Sequence, residues 1–297
     1  PWWYRIQGMP TLCRSIFYSG ESRPLAWRIT EPAHSLIHQS FHSHERREPL
    51  NGDGFGVAWY PTEGHGHPGL FRSTTPAWNN INLASLASVV QSPCVLAHVR
   101  AATQPDSVSE ANCHPFVADR LAFMHNGELG GFKELRRDLL SGLSDASFER
   151  IRGRTDSEHL FALFLDRLGA SGGDATADDL AGALVKTFEE ALLFAERHGP
   201  GRVDSFLNVA ITNGRSAVVT RFTTKADYDG ESLYWIQGRR CVCEGGVCRM
   251  KPTEYGTGAV VVSSERLDDD AGWSPVPRNH MVLISAETEG TVRSIDL

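Results

Sequence analysis

In the N-terminal half of the chain, short β-branched and aromatic runs alternate with glycine-containing turns. CRSIFYSG from residue 13, DGFGVAWY, GLFRSTT, CVLAHVRAA and RLAFMHNGEL each read as a strand running into a loop. Between them, NLASLASVVQ and GGFKELRRDLLSGL carry apolar residues at helical spacing, and Gly130 and Gly131 separate the second from the strand before it. The period then lengthens. In GRTDSEHLFALFLDRLGA, Thr155 caps a predicted helix, Glu158 stands three residues on as a capping-box partner, and Leu160, Phe164 and Leu168 recur at every fourth position. After the looser SGGDATADD, a second long helix is predicted over residues 177–197, with Leu180, Leu184, Phe188 and Leu192 on one stripe and a stop at His198-Gly199-Pro200. From residue 204 the strand pattern returns in SFLNVAITNG, SAVVTRFTT, SLYWIQGRR, GAVVVSSERL, HMVLISA and TVRSIDL. Strands, then helices, then strands imply an α+β fold with two sheets. No internal repeat or long low-complexity linker divides it.

Composition narrows the function classes. The 297 residues are 41% hydrophobic and 22% charged, enough for a sizeable core. The balance of 29 basic against 36 acidic residues gives −7, which disfavours a nucleic-acid partner held by phosphate contacts. Six cysteines, at 13, 94, 113, 241, 243 and 248, are too sparse for a disulfide scaffold. No apolar run reaches the ~18 residues of a membrane helix, and the chain does not open on a basic stretch followed by an apolar one. The expectation is a soluble, cytoplasmic protein with reduced thiols and no membrane partner.

Four separated pieces carry chemistry. Arg100 in AHVRAAT can clasp a carboxylate through two parallel hydrogen bonds, and it equally suits a structural ion pair at a strand end. Asp156, in the first turn of its helix, can bind an ammonium, and the helix dipole alone also accounts for it. Asn126 and Gly127 in HNGEL offer a carboxamide N–H and a backbone N–H, as an oxyanion requires, and Asn-Gly is also a common turn. The fourth piece is CRSIF, with a cysteine at its head.

Together these pieces make the sequence resemble the class II glutamine amidotransferases, a branch of the N-terminal nucleophile hydrolases. The resemblance runs in order through CRSIF, NGDGFGVAWY at 51, AHVRAAT at 97, NCHPF at 112, FMHNGEL at 123, RTDSEHLFALF at 154, SFLNVAIT at 205 and VVVSSERL at 260. PAHSLIHQSF and the wording of NGDGFGVAWYP are similar to the stand-alone branch that cleaves γ-glutamyl bonds, in particular the glutathione-degrading kind. The resemblance implies a four-layer αββα sandwich formed by residues 13–297 as one domain. It makes Cys13 the nucleophile, Asn126 and Gly127 the oxyanion hole, Arg100 the clamp on a substrate α-carboxylate, and Asp156 the partner of its α-ammonium, with Thr103 lining the same pocket. Gly52, Asp53 and Gly54 would shape the loop beside the nucleophile. The implied reaction is attack of the thiolate on the δ-carbonyl, loss of the amine, and hydrolysis of a γ-glutamyl thioester. It needs no metal or organic cofactor.

In that family the base is the α-amine of the cysteine itself, with a reference pKa of about 7.7–8.0. Here PWWYRIQGMPTL precedes Cys13, so its nitrogen is an amide and not a base. Residues 1–12 therefore read as an extension or propeptide that must be removed, as a start-site difference, or as the mark of a chain that keeps the fold without the chemistry. The corresponding functions are a hydrolase of glutamine or a glutathione-like γ-glutamyl compound, an ammonia-supplying partner of a synthase chain, or a silent assembly subunit beside a metallopeptidase-like partner.

Two weaker clusters are expected to be structural. CVCEGGVC, with Cys241, Cys243 and Cys248, reads as a hairpin rather than a zinc site. His34, His38, His42 and His44 read as loop histidines, and Cys113 and His114 as packing beside the pocket.

Overall fold

The computed structural model describes residues 13–42, 50–62, 66–101, 108–169, 172–198, 204–244, 247–252 and 258–297, with backbone only for His198 and for residues 239–252. β1 (Arg14–Pro24) is followed by two short helices, α1 (Ala26–Ile29) and α2 (Leu36–Phe41), then by β2 (Phe55–Trp59), β3 (Gly69–Ser73), α3 (Ile81–Val89) and β4 (Gln91–Val99). β5 (Phe116–Ala118) and β6 (Leu121–Glu128) lead into α4 (Phe132–Ser141), α5 (Asp145–Phe148), α6 (Asp156–Leu168) and α7 (Ala177–His198). The remainder is strand: β7 (Phe206–Thr212), β8 (Ala217–Arg221), β9 (Tyr234–Glu244), β10 (Val247–Pro252), β11 (Ala259–Ser263), β12 (Ser274–Pro275), β13 (His280–Ile284) and β14 (Gly290–Ser294).

Two antiparallel sheets result. One runs β10-β9-β11-β1-β4-β2-β3 with β12 on β9, and the other runs β14-β13-β8-β7-β6-β5. Strand alternation sorts their side chains into layers. Along β1, Ile16 and Tyr18 pack outward with Trp27, Leu36 and Leu83 of α1 to α3. Phe17, between them, points the other way, into a core shared with Leu96, Val260, Met124, Val219 and Val282 from both sheets. On the far side, Phe123, Val209 and Val218 meet Leu135, Phe164, Leu184 and Phe188 of α4, α6 and α7. Helices, sheet, sheet, helices is the four-layer αββα sandwich that the sequence implied.

The predicted long helices form where expected. The Thr155 hydroxyl caps α6 by accepting from Glu158 N at 3.3 Å. The reciprocal half of the capping box does not form. The Glu158 carboxylate instead accepts from Arg152 N at 2.8 Å and Gly153 N at 2.6 Å, because the incoming chain curls back over the first turn. The stripe Leu180, Leu184 and Phe188 of α7 is fully buried, whereas the expected stop at Gly199-Pro200 lies outside the described residues. α1 and α2 are too short to show a helical period in sequence, so the loop expected around the histidines is in part helix: His38 sits in α2, with ring centroids 6.2 Å from His34 and 5.3 Å from His42. His44 lies outside the described residues. The CVCEGGVC segment is the β9–β10 hairpin, with Cys248 opposite Cys243 in the backbone register.

Polar groups also lie between the sheets. The Tyr60 hydroxyl sits 2.8 Å from Arg120 O and 3.1 Å from Thr212 O, and so donates to main chain of the opposite sheet. The rings of His98 and His114 meet at 39° with centroids 4.4 Å apart, both buried. Burial pushes His98 down to about 3, with Arg100 adding to the shift, and takes His114 well below its ordinary range, with His98 and His125 adding. Both are therefore neutral in the folded chain, while the unfolded chain takes up protons below pH ~6.5. Folded-state values below the unfolded one mean that stability falls as pH drops from ~6.5 toward the folded values. Each such imidazole costs about 2 kcal/mol at pH 5 relative to pH 8. Denaturant midpoints measured across that range should fall, and a His114→Phe variant should fall less steeply by about one such increment; a profile that stays level between the two pH values contradicts this.

Candidate active site

Cys13 stands immediately before β1, and its position follows from strand register. Arg14 pairs with Val99 in the β1–β4 ladder, so one further step brings Cys13 abreast of Arg100. The Cys13 Sγ accepts from Ala101 N at 3.4 Å and donates to Ala101 O at 3.7 Å. Its backbone carbonyl accepts from Asn126 Nδ2 at 3.0 Å and from the Arg14 guanidinium at 3.3 Å. The residue is thus held by sulfur and by carbonyl, from both sheets at once.

Arg100 is buried, and its main chain is clamped by the predicted loop: Arg100 N donates to Gly54 O at 2.8 Å, and Asp53 N donates to Arg100 O at 3.1 Å. Gly54 has φ +120°, and a Cβ there would stand 2.7 Å from Cys113 Sγ and 2.8 Å from Ser73 O, so both backbone shape and space call for glycine. Gly52 lies under the ring of Trp78, which a Cβ would meet at 3.1 Å. Cys113 itself packs beneath this loop. Burial pushes its thiol up, opposed by Arg100 and Arg72, which leaves a protonated, inert sulfur. Cys94 is fully buried and pushed up to about 12. Of the three cysteines with described side chains, Cys13 alone is part-exposed.

The other wall is the end of β6. Asn126 is buried, and its Oδ1 has no hydrogen-bond partner among the described residues. Gly127 lies against the neighbouring strand so closely that a Cβ would stand 1.8 Å from Phe206 O. Two residues on, Leu129 N donates to Asp156 Oδ2 at 2.7 Å, while Asp156 Oδ1 accepts from Ser157 N at 2.8 Å and the Ser157 hydroxyl at 3.2 Å. A carboxylate has about four lone-pair sites, so three bonds leave room for one more donor. His125 braces the same corner, Nε2 2.9 Å from Phe206 O and Nδ1 3.0 Å from Ser157 Oγ. Because Phe206 O can only accept, Nε2 is the donor in that contact.

The structure therefore brings Cys13, the 52–54 loop, Arg100, Asn126, Gly127 and the head of α6 with Asp156 into one connected set of contacts. Thr103 lies outside the described residues. Sequence reasoning passed over Ala101, Arg14, His125 and Ser157. The polar SSER after the apolar run AVVV was a signal for the partner of Arg14, Glu265. No group of acidic, histidine and cysteine side chains suited to a metal occurs among the described residues. No helix there is long and apolar enough to cross a membrane.

β1, headed by Cys13 and paired between β11 and β4, with Asn126 reaching Cys13 from the end of β6, sets the chain among α+β folds of two packed antiparallel sheets. Residues 29–226 match the family described as glutamine amidotransferases class-II, and the chain belongs to that family of enzymes. It is 38% identical to the probable glutamine amidotransferase DUG3 of Saccharomyces cerevisiae, over 93% of this chain and 83% of that one. It is 26% identical to the gamma-glutamyl-hercynylcysteine sulfoxide hydrolase of Mycolicibacterium smegmatis, over 91% of this chain and 95% of that one. Among solved structures it is similar to a glutamine aminotransferase class-II domain protein from Silicibacter pomeroyi, with TM-score 0.64 and 26% identity over 96% of this chain and all of that one. The fold is shared with the B. subtilis glutamine phosphoribosylpyrophosphate amidotransferase, with TM-score 0.59 and 18% identity over 96% of this chain and 50% of that one.

The tight approach at Gly127 gives a direct expectation. Gly127→Ala forces the β6–β7 ladder apart at the site and should destabilise the fold by about 3 kcal/mol or more. A denaturant midpoint equal to that of the parent would show that the strands part without strain.

Proposed function

We propose that the protein hydrolyses the γ-glutamyl amide bond of a small γ-glutamyl compound through a thioester on Cys13. The observation that carries this reading is the shared anchoring of Cys13: its carbonyl on Asn126 Nδ2 at 3.0 Å and its sulfur on the Ala101 peptide, one residue beyond Arg100. The Asn126 carboxamide has two N–H bonds. With one spent on Cys13 O, the other is available to an oxyanion, together with Gly127 N–H. Arg100 would hold the α-carboxylate and Asp156, through its remaining lone pair, the α-ammonium, so recognition falls on the glutamyl head.

The reaction follows from these roles. The freed α-amine of Cys13 takes the thiol proton, and the thiolate adds to the δ-carbonyl. The tetrahedral oxyanion collapses, and the amine leaves with the proton held by the Cys13 ammonium. Water then attacks the thioester, giving its proton to the same amine, and releases glutamate. The relative named gamma-glutamyl-hercynylcysteine sulfoxide hydrolase supports a γ-glutamyl substrate, and glutathione-like compounds, whose leaving group is a cysteine-containing amine, are the substrate class we favour.

A second reading rests on Leu12, which makes the Cys13 nitrogen an amide. A chain that retains residues 1–12 would have a nucleophile without its base and serve as a silent assembly subunit, beside a metallopeptidase-like partner.

Intact mass of the active species should show a chain beginning at Cys13, and a glutamine-like diazoketone should label that residue and no other. Turnover by a chain that demonstrably keeps Leu12 defeats the mechanism. In processed protein, Cys13→Ala should abolish turnover. Asn126→Ala should lower kcat by about 10²–10³ with γ-glutamyl-p-nitroanilide; a loss smaller than tenfold removes Asn126 from the oxyanion hole.

A further inference from the structure

The residue after the proposed nucleophile is an arginine with no exposed surface. Arg14 is 0% exposed, and its Nε lies 2.5 Å from Glu265 Oε1, whose side chain is 3% exposed. The same guanidinium donates to the carbonyl of Cys13 at 3.3 Å. Glu265 follows two serines that grip the next residue along β1: Ser15 N donates to Ser264 Oγ at 3.1 Å, Ser264 N donates to Ser15 O at 3.0 Å, and the Ser263 hydroxyl donates to Ser15 O at 3.3 Å. Residues 263–265, at the end of β11, thus clamp residues 13–15 at the start of β1.

Taking both charges of such a pair out of water is expensive, and apolar side chains of similar volume commonly serve stability as well or better. Stability therefore gives no reason for charge at this position. What the pair supplies is geometry. A guanidinium is a rigid planar fork that can address a carboxylate and a carbonyl together, which a lysine ammonium does less well. Glu265 fixes the fork, the fork fixes Cys13 O, and Cys13 O also receives Asn126. Two donors sharing one oxygen set both the direction of the Cys13 side chain and the orientation of the Asn126 carboxamide.

We propose that Arg14 and Glu265 are a positioning pair for the reaction: through the carbonyl of Cys13 they aim the sulfur at the carbon, and the second Asn126 N–H at the oxygen, of one substrate carbonyl. The proposal rests on the reading of Cys13 as nucleophile. It concerns alignment, so its loss should appear in kcat far more than in KM. Glu265 also neutralises the guanidinium beside Cys13, so removing that carboxylate alone should leave a net positive charge that favours thiolate.

The test uses protein whose chain begins at Cys13, in three forms: parent, Glu265→Gln, and the double variant Arg14→Met with Glu265→Leu. The double variant leaves no orphaned buried charge. Misalignment of about 1 Å costs on the order of 10²-fold, so its kcat with γ-glutamyl-p-nitroanilide should fall about 30- to 100-fold while KM moves less than about threefold. Parent-like kcat in a folded double variant overturns the proposal. Should the double variant not fold, Glu265→Gln carries the test. Its kcat should fall at least about tenfold while KM moves less than about threefold, and a parent-like kcat overturns the proposal; its pH midpoint for alkylation of Cys13 by iodoacetamide should also move down by about one pH unit. Alkylation needs no turnover, so it also separates the two readings: a parent protein alkylated at Cys13 that leaves the anilide intact refutes the hydrolase, whereas a hydrolytic parent with parent-like kcat in both variants refutes the pair alone.

Discussion

The register of β1 against β4 is the constraint on which the rest depends. Arg14 opposite Val99 and Phe17 opposite Leu96 put Phe17 into the layer between the sheets and Ile16 under the outer helices. A slip of one residue would exchange those faces, burying the wrong side chains in both layers at once, which is why the pairing is strongly specified. The same register carries Cys13 to Arg100. Hydrophobic burial along the strand therefore does two things: it holds the sandwich together, and it measures out the distance between a thiol and an arginine that share no contact in sequence.

The charges at the site follow a common pattern of compensation. His98 and His114, buried beside Arg100, stay neutral and add no positive charge to it. Glu265 offsets Arg14. At the opposite wall Asp156 is fixed by Leu129 N and Ser157, so its carboxylate is aimed before any ligand arrives. The ordering cost that a flexible acid would incur on binding is met in folding.

Sequence made most of this legible, and for identifiable reasons. Strands announced by alternation, and helices of three turns or more such as α6 and α7, carry enough residues for their period to be read. α1 and α2 do not, and the sequence around His38 accordingly reads as loop. Glu158 was assigned to a capping box because the spacing allowed it. The structure turns its carboxylate to Arg152 N and Gly153 N instead, a choice made by the path of the incoming chain that no spacing encodes. Asn126, Gly127, Arg100 and Cys13 were named from motif resemblance. What the motifs did not disclose was how the residues are held: Ala101 is unremarkable as a residue type, and it enters through its peptide group alone.

The manner of that holding bears on the leader. The anchors described for Cys13 use its sulfur, on Ala101, and its carbonyl, on Asn126 and Arg14. Neither depends on whether the nitrogen is an amide or an amine. Cleavage after Leu12, as proposed, would change one functional group and leave these anchors in place. On this view the fold supplies alignment first, and chemistry waits for a base. Under the proposed mechanism, what these anchors leave to be supplied is a lone pair on the Cys13 nitrogen.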